Sequence, residues 1–304
     1  MSEPPTATDT ATPLRTAAHM DSAAHVRATT HMGNTAQMDT VAPMDTAAHI
    51  AYLLRLADNA LVLSHRLAEW TGHGPVIEED IAMTNIALDL LGQARMLYQH
   101  AGSLSDPPRT EDELAYFRDT AQFRNFTMLE LPNSGVASAG AADGDYAFTI
   151  VRNFLYSAWA LPLWHALAGS ADAQLAAIAG KAVKETRYHL RHAGDWLERF
   201  GDGTEESHRR TQTALDMLLP YANEWFAADE LDRAALAAGI GADLTQLREQ
   251  WLAIARPAAE AATLRWPVDS GFRSTGKQGL HSEHLDYLLN EMQSLARAHP
   301  GAVW

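Results

Sequence analysis

The chain has 304 residues, no cysteine and a formal net charge of −15. These figures exclude disulfides and thiolate chemistry, and they speak against nucleic acid, whose binding needs a basic face. No apolar run approaches the roughly 20 residues of a membrane span and no basic-then-apolar leader opens the chain, so a soluble, cytoplasmic protein is expected.

Residues 1–46 form a segment of their own. Ala, Thr, Met and Asp recur in loose echoes, Ala-Ala-His-Met-Asp-Ser-Ala-Ala-His at 17–25 and Met-Asp-Thr-Ala-Ala-His at 44–49. Branched and aromatic residues are sparse, so the segment cannot offset the entropy of ordering and is expected to be a disordered extension. His19, His25, His31 and His49 are irregularly spaced, which favours a flexible extension over a metal-binding tract.

From residue 47 onward helical periodicity takes over and runs to the end of the chain. A first helix is predicted from about Ala48 to Trp70, stopped by Thr-Gly-His-Gly-Pro. A second follows from about Ile77 to Ala101, with Glu78, Glu79 and Asp80 in its first turn. Thr110 is placed to cap a short helix. Residues 120–143 read as irregular, with Phe123, Phe126, Met128, Leu129 and Leu131 tucking inward. A third long helix, Asp143 to Leu167, is rich in aromatics and contains Pro162; a fourth runs from Ala171 to Phe200, before Gly201-Asp-Gly203. A fifth spans Thr204 to Ala228 with Pro220 inside. A short helix at 229–238 ends at Gly239, and Asp243 with Gln246 reads as a capping box for a helix to Leu264. The last helix runs from Ser282 to Ala298. No strand is evident. The fold class is all-α: four core helices over 47–304 with additional C-terminal helices.

The second helix holds the central question. Between Ile81 and Tyr98 apolar residues occur on nearly every side, so it reads as buried. Asn85, Asp89 and Gln93 nevertheless fall at i, i+4 and i+8, a polar stripe on one face. Its natural partner is the fourth helix, which carries Lys181, Lys184, Glu185, Tyr188, His189 and His192. Four-helix bundles with such inward groups often hold two metal ions through carboxylates and paired Glu-x-x-His motifs. Here the position three after Asp89 is Gly92, and the position three after Glu185 is Tyr188, histidine arriving one residue late at His189. Among all 14 histidines only His208 has an acid, Glu205, three residues before it, and there is no second copy. A lysine among inward carboxylates would supply charge that metal would otherwise provide, which makes Lys181 and Lys184 candidates for a salt-bridge network. The stripe and its partners therefore read as a degenerate metal centre, with no catalytic or metal-binding residue assigned and substrate contacts unknown. A single zinc at Glu185/His189 lacks a third ligand, and a storage role lacks an iron-oxidising centre.

Other chemistries find no support. His281 and His284 stand at i, i+3 without a second pair. Gly-Lys-Gln-Gly at 276–279 lacks the upstream glycine and the Ser or Thr of a phosphate loop. Trp159 and Trp164 at helical spacing read as core rather than as a ligand pocket.

Several long motifs together carry a resemblance. Leu-Ala-Asp-Asn-Ala-Leu-Val-Leu-Ser-His-Arg-Leu-Ala-Glu-Trp (56–70), Asn-Ile-Ala-Leu-Asp-Leu-Leu-Gly-Gln-Ala-Arg (85–95), Lys-Glu-Thr-Arg-Tyr-His-Leu-Arg (184–191), Gly-Leu-His-Ser-Glu-His-Leu (279–285), Asn-Glu-Met-Gln (290–293) and the Pro-Gly-x-x-Trp ending are similar to the C-subunit family of bacterial phenylacetyl-CoA epoxidases, also called ring-1,2-phenylacetyl-CoA monooxygenases. The likeness covers about residues 47–304. It implies a ferritin-like structural, non-catalytic subunit that carries no cofactor and supports a homologous A subunit holding a di-iron site. It also implies a small B subunit and a flavin and iron–sulfur reductase fed by NADPH. The whole complex would place one oxygen atom across the aromatic ring of phenylacetyl-CoA in aerobic phenylacetate degradation. On this resemblance Asp89, Gln93, Glu185 and Tyr188 are remnants of ligand positions. The alternative is a self-sufficient di-iron oxygenase using Asp89, Glu185 and His189 at unorthodox spacing.

Overall fold

The structure, a computed structural model, describes residues 44–135 and 144–302. The expected disordered extension lies outside the described residues except at its end, where the Asp45 side chain accepts the Ala48 amide and starts the first helix.

Four long helices form the core: α1 (Thr46–Ala68), α2 (Ile77–Ser103), α5 (Tyr146–Leu167) and α6 (Ala173–Gly201). The chain between α2 and α5 holds α3 (Glu111–Tyr116), capped by a Thr110/Glu113 box, and the single turn α4 (Thr127–Glu130). Contacts at the helix ends fix their directions. α2 packs antiparallel to α6, since Glu79 meets His192 near one end and His100 meets Asp172 at the other. α6 returns antiparallel along α5, with Trp196 and Phe200 beside Tyr146. α2 and α5 therefore point the same way, and residues 104–145 make one long crossover. That is the connectivity of ferritin-like bundles.

Burial identifies the central helices. In α5, 18 of 22 residues are buried, so it is apolar all round because it is covered all round. Its outer side is closed by α7 (Glu205–Leu218) and α9 (Leu244–Ala261), and the Trp251 indole donates to the Leu155 carbonyl at 3.1 Å. In α2 only 12 of 27 residues are buried, which corrects the expectation of a wholly buried helix. Ile77, Ile81, Leu88 and Leu91 stand 67, 53, 59 and 41 % exposed along its outer side. Periodicity reports that a helix has apolar faces; it does not report which face another element covers.

Two local differences have simple causes. Pro220 has no amide hydrogen and its ring crowds the carbonyl four residues back, so the fifth helix stops at Leu218 and tightens into a 3₁₀ turn, Leu219–Glu224. Gly201 does not follow the fourth helix but ends it from inside, because the Ala262 carbonyl passes where a Cβ would stand. Gly239, at φ +67°, closes α8 (Glu230–Ala237) as expected. Asp243 caps α9 by accepting the Thr245 amide, without a reciprocal bond from Gln246. The chain closes with α10 (Glu283–Ala298), seated on α3 and α4. Trp159 is core, packed with Phe126 and Trp225 at centroid distances of 5.0 and 5.8 Å, and Trp164 is fully buried. Among the described residues the only β pairing is the isolated bridge Thr275–Leu280, and no helix is long and apolar enough to cross a membrane.

Candidate functional site

The facing sides of α2 and α6 form a polar seam along the bundle. At one end the Glu79 carboxylate accepts the Tyr146 hydroxyl at 2.6 Å and meets His192 Nε2 at 2.8 Å. Burial, then Glu79, raises the Tyr146 pKa, so the phenol stays protonated and donates. Midway, His189 Nε2 lies 3.0 Å from Asp89, and Gln93 donates to Glu185 at 3.0 Å. At the far end His49 and His100 both reach Asp172.

The structure sorts the predicted residues. Asp89, Gln93, Glu185 and His189 come together as two adjacent pairs, with Gln93 and His189 buried. Asn85 and Tyr188 do not join them; both are exposed, and Tyr188 lies against its own helix neighbours His192 and Arg191. The lysine expectation is corrected. Lys184 is exposed, and Lys181, 58 % exposed, reaches Glu185 at 3.3 Å from the solvent side. Such a pair is worth at most about 1 kcal/mol. The lysine buried against a carboxylate is Lys277, 2.7 Å from Asp232. It belongs to the Gly-Lys-Gln-Gly turn, where its amide also donates to Glu224.

Sequence reasoning missed the interior acids of greatest burial. Asp58 on α1 is fully buried and accepts from both Arg118 guanidinium nitrogens, from Tyr98 at 2.6 Å and from the Arg124 amide at 2.8 Å. Glu130 is also fully buried and takes Asn125, His281 and the Ser282 amide. Arg55 bridges Asp229 and Asp232. A charged residue inside an otherwise apolar helical run was the available signal for Asp58 and Arg55. His281 proves to be the partner of Glu130 rather than half of a metal pair, and His208 bonds the Gly201 carbonyl rather than joining Glu205.

Chemically, the carboxylates of the midway seam are matched to separate nitrogens, Asp89 to His189 and Glu185 to Gln93 and, from the solvent side, Lys181. A di-iron centre instead needs several carboxylates and two imidazoles converging on one space. Among the described residues, three ligand-type atoms converge within 4.8 Å only at His49, His100 and Asp172, at the end of the bundle.

Comparison with known proteins then places the chain. The family model described as "Phenylacetic acid catabolic protein" matches residues 22–304. The chain belongs to that family. The match begins ahead of residue 47, where the motifs placed the start of the likeness. A family relative from Escherichia coli (strain K12), the C subunit of 1,2-phenylacetyl-CoA epoxidase, is 46 % identical over 254 residues, covering 84 % of this chain and 98 % of the relative.

Proposed function

We propose that this chain is the structural, non-catalytic subunit of a phenylacetyl-CoA ring epoxidase. It would pack against a homologous subunit that holds a di-iron centre, with a small third subunit and an NADPH-dependent flavin and iron–sulfur reductase completing the cytoplasmic complex. The complex would add one atom of dioxygen across the ring of the CoA thioester during phenylacetate degradation. Support comes from the named relative and from the donor set at Asp89, Glu185 and His189. The carboxylates there are held by one imidazole, one amide and, at the solvent edge, Lys181. The interior acid of α1, Asp58, is engaged by a buried arginine.

The observation that carries the structural role is the outer side of α2. Among the described residues a stripe of Ile77, Ile81, Leu88 and Leu91 is left open on the four-helix core, which supports a surface for a partner to cover. An obligate partner would bury well over ~1,000 Å². The chain's own C-terminal helices cover α5 instead and leave this stripe free.

The test is co-expression of the full chain with the homologous catalytic subunit. Co-elution and ring epoxidation are expected from the pair, and neither oxygenation nor iron bound through Asp89 and Glu185 from this chain alone. Charging the stripe, Ile81→Lys with Leu88→Lys, should abolish co-elution while the helical circular dichroism persists. Oxygenation by the isolated chain, lost in Glu185→Ala, would establish the self-sufficient oxygenase instead. Undiminished co-elution of the doubly charged variant would remove α2 from the interface.

A further inference from the structure

The end of the bundle opposite Glu79 carries a cluster that the epoxidase reading does not use. His49 comes from the first turn of α1, His100 from the last turn of α2, and Asp172 is the N-cap of α6. The two imidazoles direct the same nitrogen, Nε2, at a single oxygen, Asp172 Oδ2, at 2.8 and 2.6 Å. Their rings cross at 88° with centroids 5.9 Å apart, so the nitrogens converge on a point instead of stacking. The three side chains are 17, 11 and 8 % exposed, shielded but reachable by water.

We propose that His49, His100 and Asp172 are the protein ligands of a single divalent transition ion of the zinc type. Two neutral imidazoles and one carboxylate, with a fourth position left to water, form a donor set that Zn²⁺ accepts in tetrahedral geometry. Zinc–ligand bonds of about 2.0–2.2 Å set ligand atoms about 3.4 Å apart, so each imidazole nitrogen need draw back from the carboxylate oxygen by less than ~1 Å. The carboxylate is already oriented for the task. Asp172 Oδ1 accepts the Gln174 and Leu175 amides at 2.9 and 3.1 Å, which leaves Oδ2 turned to the imidazoles. Backbone bonds that fix a ligand's second oxygen are the outer-shell support that metal sites need. The residue before it is tied down too, its amide donating to the Gly239 carbonyl at 2.9 Å.

The consequence is a clasp. The ion would join the start of α1, the end of α2 and the start of α6, three points that meet only in the folded bundle. Metal affinity therefore becomes folding stability. The site is separate from the midway seam and does not depend on the proposed role in epoxidation. Asp89 and Glu185 take no part in it.

The experiment uses the full chain with His19→Gln, His25→Gln and His31→Gln, so that the histidines near the chain start cannot supply ligands. Titration with Co²⁺ should give one equivalent with the visible bands of a four-coordinate nitrogen–oxygen site, and Zn²⁺ should displace it. His49→Gln and His100→Gln should each weaken binding at least tenfold, whereas Asp89→Asn should not. Zn²⁺ in hundredfold excess over its Kd should raise the Tm of the parent by about 5 °C or more, and that of His100→Gln hardly at all. Because both glutamine variants can be compared metal-free by circular dichroism, a folding defect is told apart from a binding defect. Absence of a stoichiometric ion, equal affinity in the histidine variants, or loss of binding in Asp89→Asn would each overturn the proposal.

Discussion

Replacing Glu185 by alanine separates a hydrogen-bonding role from a metal-ligand role, and the structure sets the size of the effect. Glu185 accepts one hydrogen bond, from Gln93 at 3.0 Å, and one ion pair, from Lys181 at 3.3 Å. Lys181 is mostly in water, so its loss costs at most about 1 kcal/mol. Gln93 is 1 % exposed, and its Oε1 already lacks a partner. Removing Glu185 strands the amide nitrogen as well, at about 1–3 kcal/mol. The two together come to about 1–4 kcal/mol, centred below the about 3–5 kcal/mol of breaking a fully buried ion pair. Glu185→Gln keeps an acceptor of the same length and should cost under ~1 kcal/mol. Urea unfolding followed by tryptophan fluorescence and circular dichroism measures both, and Gln93→Leu combined with Glu185→Ala should recover part of the loss, since no polar group is then stranded. A Glu185→Gln variant as damaged as Glu185→Ala would refute this assignment. So would a double variant whose losses simply add.

Three further predictions follow from the interior acids. Asp58→Asn leaves Arg118 buried without its counter-ion and should cost about 3–5 kcal/mol in urea unfolding, the largest effect expected of any single change in this group. His281 has a raised pKa; burial opposes its charge, but Glu130 and the Phe123 carbonyl outweigh it. Its contribution is therefore complete below the unfolded value near about 6.5 and is lost as pH rises through the higher folded value. A Tm–pH profile should fall on that alkaline side in the parent and flatten in His281→Gln. Asp229 is held down to about 2, burial opposing and Arg55 prevailing, so its contribution is present above the unfolded value of about 4 and lost as pH drops toward 2. Asp229→Asn should make acid unfolding less steep across that interval, read by circular dichroism.

Most of the fold was legible because it depends on local rules. The four long helices, the Thr110 cap, the inward Phe123 to Leu131 segment and the Gly239 stop each follow from spacing or from one residue's stereochemistry. The polar stripe on α2 and its partner helix were legible too, since i, i+4 spacing on two helices of a bundle leaves few arrangements. What was not legible depends on which surfaces the rest of the chain covers. Ile81, Leu88 and Asn85 lie on the same kind of sequence as the buried positions of α5, and only the packing of α7 and α9 on α5 separates the two helices. Lys181 and Lys184 sit on the expected helix, but their angular position points them to water. Lys277 could not be anticipated, because a turn far along the chain carries it to Asp232. The His49, His100 and Asp172 cluster was equally hidden. Its members come from three helix ends far apart in the chain, and no motif spacing spans them.

The distribution of charge partners supplies the last step. Inside a ferritin-like bundle, acids projecting inward must be neutralised or hydrogen-bonded, and two metal ions are one way to do it. In this chain the buried acids are met largely by groups from outside the four core helices. Asp58 is met by Arg118 and the Arg124 amide from the crossover. Glu130, itself on the crossover, is met by His281, and Asp232 by Lys277, both from the loop that precedes α10. The segments beyond the core thus do two things together. They satisfy interior polar groups, and α7, α9 and α10, by packing on α5 and the crossover, leave the outer stripe of α2 exposed among the described residues. A chain arranged in this way pairs its interior acids without relying on its midway seam, and turns an apolar stripe of α2 outward. Those are the properties that the proposed structural role requires.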